Sequence, residues 1–136
     1  MKNFVLLYVK DVMTSDVVKI TPDTKLKEVE KLFEKHDYNS LPVLDGDKIV
    51  GIVTKLDFLK HFVLTPKSIV PPYKQLLEDR AKDIMNKTMI TLSPETPLTR
   101  VLELMVETKL RSFLVTDPER KLLGIISRED IISEMK

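Results

Sequence analysis

The sequence predicts an α+β protein made of two β-α-β-β-α repeats, which a pseudo-two-fold axis relates and whose sheets pack against each other. A nine-residue string occurs twice, as GIVTKLDFL from Gly51 and as GIISREDII from Gly124, and the segments before both copies also match. The chain has 136 residues and 43% hydrophobic content, enough for one core. A repeat of about 60 residues buries little surface alone, so the two repeats are expected to associate.

The upstream match keeps a nearly constant offset. The two strings are 124 − 51 = 73 residues apart, whereas DVM from Asp11 and DIM from Asp83 are 83 − 11 = 72 apart. The extra residue fits the turn, where LDGDK in the first copy faces TDPERK in the second. Insertions are tolerated in turns. The predicted organisation is a first repeat at 1–64 with an N-terminal segment 1–9, a linker at 65–80, and a second repeat at 81–136.

Each repeat is predicted to begin with a short strand and a helix. The strands are expected at 17–20 and 89–92, each followed by a proline-containing turn. Thr24 and Thr96 are predicted N-caps, and Pro97 takes the favoured first helical position. Apolar residues then recur at helical spacing. They are Leu26, Val29, Leu32 and Phe33 in the first copy, and Leu98, Val101, Leu102 and Met105 in the second.

A strand pair and a closing helix complete each repeat. SLPVL and KIVGIVT flank a tight turn at Asp45-Gly46, and SFLVT and KLLGIIS flank one at Asp117-Pro118. The closing helices are predicted to begin at Asp57 and Asp130. The linker contains Pro66, Pro71 and Pro72, so it is predicted to hold only one short helix, near 75–80.

Composition narrows the function. The net charge is +1 with both signs interspersed, which favours neither a nucleic-acid nor a membrane partner. With no cysteine, and only His36 and His61 as nitrogen ligands, no disulfide, zinc site or other metal is expected. The apolar run at 4–9 is far shorter than the roughly 20 residues of a membrane span, and no secretory signal is apparent. A cytoplasmic protein is therefore expected.

The tandem β-α-β-β-α order, with G-h-h-[ST]-x-x-D ending the third strand of each copy, resembles a pair of cystathionine-β-synthase (CBS) domains, called a Bateman module. The resemblance runs from about Lys10 to Met135. It implies a stand-alone regulatory module, not an enzyme, that binds an adenosyl ligand in clefts between the repeats. The implied ligands are AMP, ADP, ATP or S-adenosylmethionine, and no cofactor is required. It also implies a homodimer that acts on an unidentified effector protein.

The resemblance implies two ligand sites, and the residue types suit them. A carboxylate can accept hydrogen bonds from ribose hydroxyls, the start of a helix favours phosphate, and apolar strand residues can form a slot for adenine. The first site would take Thr54, Lys55 and Asp57, with Arg111 and Ser112 from the other repeat and Ile90 and Leu92 beside the base. The second would take Ser127, Arg128 and Asp130, with Asn39 and Ser40 opposite and Val18 and Ile20 beside the base.

Family members that hold phosphates often carry a basic residue at the position of Asn39 or Ser40, so this sequence departs from the pattern there. The first site is therefore the favoured one.

Other interpretations stay open. Thr54-x-x-Asp57 and Ser127-x-x-Asp130 also fit a helix capping box, which is compatible with ligand binding. Arg111 and Arg128 can equally be solvated charges. The apolar stripe Phe58, Leu59, Phe62 and Val63 is a packing face or a dimer contact. For the whole protein, the alternatives are a purely structural dimerisation module and a nucleotide hydrolase, although no metal or base pattern supports the latter.

Overall fold

The computed structural model describes residues 3–63 and 73–135. It has the predicted α+β composition with two repeats. The first repeat and linker contain α1 (Val9–Val12), α2 (Leu26–Lys35), β1 (Ser40–Asp45), β2 (Lys48–Thr54), α3 (Lys55–His61) and α4 (Tyr73–Leu76). The second repeat contains β3 (Thr91–Leu92), α5 (Leu98–Thr108), β4 (Ser112–Thr116), β5 (Leu122–Ser127) and α6 (Arg128–Ser133). Short 3-10 helices lie at Phe4–Leu6 and Ala81–Asp83.

The chain forms two compact units. We call residues 18–89 the middle unit, and residues 1–17 together with 90–136 the terminal unit, because the latter contains both chain ends. The repeats are defined by similarity between two parts of the sequence, whereas the units are defined by which residues pack together. The two divisions differ in where they place the segments that precede each repeat's first strand.

In the middle unit, β1 pairs antiparallel with β2, and Gly46 closes the hairpin with a φ of +66° that favours glycine. Ile20 makes a single parallel bridge to Val43. The strand predicted at 17–20 is thus reduced to this bridge, and the Val17 N–H bonds to the Ser15 carbonyl at 3.1 Å instead of to a strand. Leu26 and Val29 of α2 are buried against the hairpin, which places the core on one face of the sheet.

In the terminal unit, the sheet has the order β3-β4-β5, with β3 parallel and β5 antiparallel to β4. Here the predicted first strand forms, although only over two residues. The buried cluster draws on β3, β4, β5, α5, α6 and the N-terminal segment. It consists of Phe4, Val9, Leu92, Leu98, Val101, Met105, Phe113, Val115, Ile126 and Ile131.

Each unit's sheet is extended by the segment that precedes the first strand of the other repeat. In the terminal unit, Thr14 and Ile125 exchange two backbone hydrogen bonds of 2.9 Å. In the middle unit, Asn86 and Ile52 exchange bonds of 2.9 and 3.0 Å. The DVM segment therefore packs with the second repeat's sheet, and the DIM segment packs with the first repeat's sheet.

This exchange explains the glycine that opens the duplicated string. A Cβ on Gly124 would lie 2.7 Å from the Thr14 carbonyl oxygen and 2.9 Å from the Met13 sulfur. A Cβ on Gly51 would lie 2.8 Å from the Met85 sulfur. The incoming segment approaches each strand too closely for a side chain at that position.

Several predicted helix boundaries are wrong by one or two residues. α2 and α5 follow Lys25 and Pro97 directly, so neither Thr24 nor Thr96 is their N-cap. The Thr24 hydroxyl instead accepts the Thr21 N–H at 2.9 Å, stabilising the preceding turn. The closing helices begin two residues before the predicted aspartates, which occupy the third helical position.

The linker helix is also displaced from its predicted position. It spans Tyr73–Leu76 rather than 75–80, and turns follow it up to Arg80. The linker prolines lie outside the described residues.

Candidate functional site

Thr54 and Asp57 form a capping box at the start of α3. The Asp57 N–H donates to the Thr54 hydroxyl at 3.1 Å, and the Thr54 N–H donates to Asp57 Oδ2 at 3.0 Å. Two backbone donors at the helix start are thereby satisfied reciprocally. The capping interpretation of this motif is confirmed.

Ser127 and Asp130 repeat the arrangement at the start of α6. The Asp130 N–H donates to the Ser127 hydroxyl at 3.2 Å, and the Ser127 N–H donates to Asp130 Oδ2 at 2.9 Å. Both aspartates are half-buried. The two motifs thus build the same local geometry in separate units.

Capping occupies only one oxygen of each carboxylate. Within the described residues, Oδ1 of Asp57 and Oδ1 of Asp130 accept no hydrogen bond. An ionised carboxylate offers about four acceptor positions, so each group retains capacity for an outside donor. The box also holds the side chain in one orientation, which lowers the entropy lost when a ligand binds. A ligand with adjacent hydroxyls suits such an acceptor.

Each capping box lies beside the start of the first hairpin strand of its own repeat. Ser40 is the cross-strand partner of Thr54, and the Lys55 N–H donates to the Asn39 carbonyl at 3.3 Å. The structure therefore brings Asn39 and Ser40 together with the middle-unit capping box, and Ser40 is buried.

The terminal unit repeats this neighbourhood. Ser112 is the cross-strand partner of Ser127, and the Arg128 N–H donates to the Arg111 carbonyl at 3.0 Å. Arg111 and Ser112 thus lie next to the Ser127 and Asp130 capping box.

The three cations assigned to the predicted sites differ in the bonds that their side chains already make. Arg128 donates to the carbonyls of Lys109 at 2.7 Å and of Leu110 at 3.3 Å, where it satisfies acceptors at the end of α5. The Lys55 ammonium lies 3.6 Å from the exposed Asp37 carboxylate. The Arg111 side chain is exposed and has no partner among the described residues. Arg111 is therefore the cation that can bind an anion without losing an existing bond.

The residues expected beside the base fall into two classes. Ile20 and Leu92 are 4% and 7% exposed and belong to the cores of their units. Val18 is half-buried, and Ile90 is 36% exposed. Val18 and Ile90 thus have the side-chain surface to contact a ligand, whereas Ile20 and Leu92 mainly position the strand.

Both predicted sites combine residues from the two units. The first takes Thr54, Lys55 and Asp57 from the middle unit and its remaining residues from the terminal unit, and the second does the reverse. Within one unit, the structure brings each capping box together with the residue pair that was assigned to the opposite site. The combination of residues across units stays a prediction.

Sequence reasoning missed one feature beside the terminal-unit capping box. The Lys109 and Leu110 carbonyls hold Arg128 because Lys109 ends α5 in a left-handed conformation, with φ +62°. Glycine is the usual signal for that conformation, and the sequence has none there.

Residues 3–63 and 73–135 contain no group of three or more His, Cys, Asp or Glu side chains placed to hold a metal ion. In the same residues, no helix combines the length and the hydropathy of a membrane span.

Comparison with known proteins shows the family. The CBS domain family model matches residues 9–64 and again residues 81–136. Protein MJ1426 of Methanocaldococcus jannaschii is 26% identical over an alignment covering 96% of this chain and 92% of that protein. The chain spans less than half the length of several other relatives.

Solved structures agree with this assignment. The crystal structure of protein MJ1225 from Methanocaldococcus jannaschii superposes with a TM-score of 0.85 at 26% identity, covering 95% of this chain and 48% of that one. The CBS domain pair of protein MJ0100, in complex with 5′-methylthioadenosine and S-adenosyl-L-methionine, superposes with a TM-score of 0.77 at 25% identity. That match covers 95% of both chains. The duplicated capping boxes, the two repeats and these matches together show that the chain belongs to the CBS domain family and carries two CBS domains in tandem.

Proposed function

We propose that the protein is a cytoplasmic regulatory module that binds an adenosyl ligand (AMP, ADP, ATP or S-adenosylmethionine) through the Asp57 and Asp130 carboxylates. The observation that carries the proposal is that the two oxygens of each carboxylate have different roles. Oδ2 is held by the helix cap, and Oδ1 has no hydrogen bond among the described residues. A fixed acceptor of this kind suits the two hydroxyls of a ribose.

The MJ0100 complex supports the ligand class. That CBS domain pair binds two adenosyl compounds and matches this chain over 95% of its length at 25% identity. Its ligands lack phosphates, whereas AMP, ADP and ATP carry them. The common feature of the proposed ligands is therefore the adenosine part.

The cations favour the first predicted site for ligands with phosphates. This site combines Thr54, Lys55 and Asp57 with Arg111, whose guanidinium has no partner among the described residues. At the second site, Arg128 would have to give up two carbonyls at the end of α5, and Asn39 and Ser40 carry no charge. An unpaired guanidinium can bind a phosphate bidentately without such a loss.

Regulation would follow from differential binding. A ligand that takes residues from both repeats stabilises the arrangement in which it binds most tightly, and an effector protein can respond to that population shift. Binding without catalysis is sufficient for this role. The homodimer that belongs to the proposal is supported by exposed apolar side chains on the closing helices, including Leu59 and Ile132, which are 61% and 64% exposed.

Calorimetric titration with AMP, ATP and S-adenosylmethionine tests the proposal. The informative variants are Asp57→Asn and Asp130→Asn, because the amide oxygen can keep the cap while the amide nitrogen replaces the second oxygen with a donor. The variant at the occupied site should bind ligand at least about tenfold more weakly than the wild type, since a charged, half-buried acceptor is lost.

Controls separate binding from folding. Thr54→Ala and Ser127→Ala weaken the same helix starts but keep the carboxylates, so they should bind ligand more tightly than the asparagine variants. Thermal unfolding of every variant shows that it is folded. Absence of heat with all three ligands, from folded wild-type protein, would contradict the proposal and favour a purely structural association module.

A further inference from the structure

The turn that joins α5 to β4 has hydrogen bonds on every backbone polar group of its first two residues. The Lys109 N–H donates to the Met105 carbonyl at 2.9 Å, and the Leu110 N–H donates to the Thr108 hydroxyl at 3.2 Å. Both carbonyls of the pair accept bonds from the Arg128 guanidinium, at 2.7 Å and 3.3 Å. The backbone of this exposed turn is therefore held in place from both sides.

Arg128 bonds three consecutive carbonyls of this turn. Besides the two bonds of its side chain, its own N–H donates to the Arg111 carbonyl at 3.0 Å. Lys109 has a φ of +62°, which is unfavourable for residues other than glycine. The bonds from Arg128 offset this cost, because they satisfy carbonyls at the end of α5 that no longer have a partner within the helix. Arg128 thus holds the backbone that carries Arg111.

The equivalent residue of the middle unit makes different contacts. The 73-residue offset pairs Arg128 with Lys55, since 55 + 73 = 128, and the 72-residue offset pairs Lys109 with Asp37, since 37 + 72 = 109. The Lys55 ammonium lies 3.6 Å from the Asp37 carboxylate, and the Lys55 N–H donates to the Asn39 carbonyl at 3.3 Å. In the middle unit the cation therefore pairs with an acid, and the turn ends in an uncharged asparagine.

We infer that Arg128 is a positioning residue for Arg111, and that this pair gives the protein a preference for adenosyl ligands that carry a phosphate. Arg128 does not contact the ligand, because its guanidinium is already bonded to two carbonyls. It fixes the backbone from which the exposed Arg111 side chain projects, and that side chain has no partner among the described residues. A fixed attachment point lowers the entropy lost when the Arg111 guanidinium binds a phosphate. The inference rests on the proposed function, since it assumes an adenosyl ligand.

The Kd for adenosine divided by the Kd for AMP measures this preference. The two ligands differ only in the phosphate, so structural damage weakens the binding of both, whereas loss of a phosphate contact weakens AMP alone. Arg111→Ala should lower the ratio about tenfold in calorimetric titrations. Arg128→Lys should lower it about three- to fivefold, because it keeps the charge but a single ammonium cannot replace a guanidinium fork that bonds two carbonyls.

The double variant Arg111→Ala/Arg128→Lys separates positioning from direct contact. If Arg128 acts through Arg111, the ratio of the double variant should equal that of Arg111→Ala within about twofold. A further fall of about three- to fivefold would show that Arg128 binds the phosphate itself, and would overturn the inference. Arg120→Lys is the matched control, because it makes the same substitution in the exposed turn at the opposite end of the β4–β5 hairpin. It should leave the ratio unchanged.

Failure of the inference and failure of the proposed function give different results. If the wild-type protein binds AMP and adenosine, and folded Arg128→Lys protein keeps the wild-type ratio, the inference is overturned and the adenosyl-binding proposal stands. If folded wild-type protein binds none of AMP, adenosine and S-adenosylmethionine, both are overturned. Thermal unfolding of each variant shows that it is folded.

Discussion

Replacing Gly124 by alanine should destabilise the terminal unit far more than the same change at Gly51 destabilises the middle unit. The added Cβ at Gly124 would lie 2.7 Å from the Thr14 carbonyl oxygen, which is 3.4 − 2.7 = 0.7 Å closer than the shortest ordinary contact. Thr14 cannot move away freely, because its N–H and C=O are both bonded to Ile125 at 2.9 Å.

The magnitude follows from the two ways to relieve the contact. Overpacking costs about 1–3 kcal/mol, and giving up the Thr14 bridge costs about 1 kcal/mol for each hydrogen bond lost. We therefore expect Gly124→Ala to lower the free energy of unfolding by about 2–3 kcal/mol. At Gly51 the close neighbours are the sulfur, Cγ and Cβ of Met85, at 2.8, 3.0 and 3.2 Å. This side chain can shift more easily than a hydrogen-bonded backbone carbonyl, so the expected loss is about 1 kcal/mol.

Urea unfolding followed by circular dichroism measures both values. Met13→Ala combined with Gly124→Ala is the matched control, because it removes the side-chain contact and leaves the carbonyl contact. It should recover little stability, whereas Met85→Ala combined with Gly51→Ala should cost little more than Met85→Ala alone, because only the 3.2 Å contact with the Cβ of residue 85 remains. Equal losses for Gly124→Ala and Gly51→Ala would refute the role given to the Thr14 backbone.

Two further predictions concern the helix starts and an exposed ion pair. Ser127→Ala should lower the free energy of unfolding by about 1 kcal/mol in urea titrations, while Ser127→Asn, which can still cap α6, should lose much less. The pKa of Glu78 is lowered by hydrogen bonds from Lys25 and Lys27, so its contribution to stability is present above the unfolded pKa and is lost as the pH falls through the folded pKa. Glu78→Gln should thus make unfolding less sensitive to acid below about pH 5 at low salt; an unchanged pH profile would contradict this interpretation.

Local patterns in the sequence were sufficient to predict the elements that depend on interactions between nearby residues. The Thr54 and Ser127 capping boxes depend on residues three apart, so the spacing of hydroxyl and acid predicts them directly. The helices α2 and α5 follow from apolar residues three and four apart, and the hairpins follow from paired apolar runs around turns. Repetition strengthened each of these predictions.

Contacts between residues that are far apart in the sequence could not be predicted from local patterns. The 72-residue offset shows that DVM and DIM are equivalent, but it does not show which sheet each segment joins. Only the Thr14 and Asn86 backbone bonds determine that. Lys109 likewise adopts a left-handed conformation that its residue type does not indicate, and its carbonyl accepts a hydrogen bond from Arg128, 19 residues further along the chain. Ile20 and Leu92 have the apolar character of slot residues, yet burial assigns their side chains to the cores.

The most direct test of the central claim is a binding titration of the wild-type protein with AMP, 2′-deoxy-AMP and GMP, monitored by calorimetry. If a fixed carboxylate binds the ribose of an adenosyl ligand, AMP should bind measurably, and 2′-deoxy-AMP should bind about tenfold or more weakly because one donor to the carboxylate is missing. GMP should also bind more weakly, because the base differs. Equal affinity for AMP and 2′-deoxy-AMP would contradict the account, as would a folded protein that binds neither AMP nor S-adenosylmethionine.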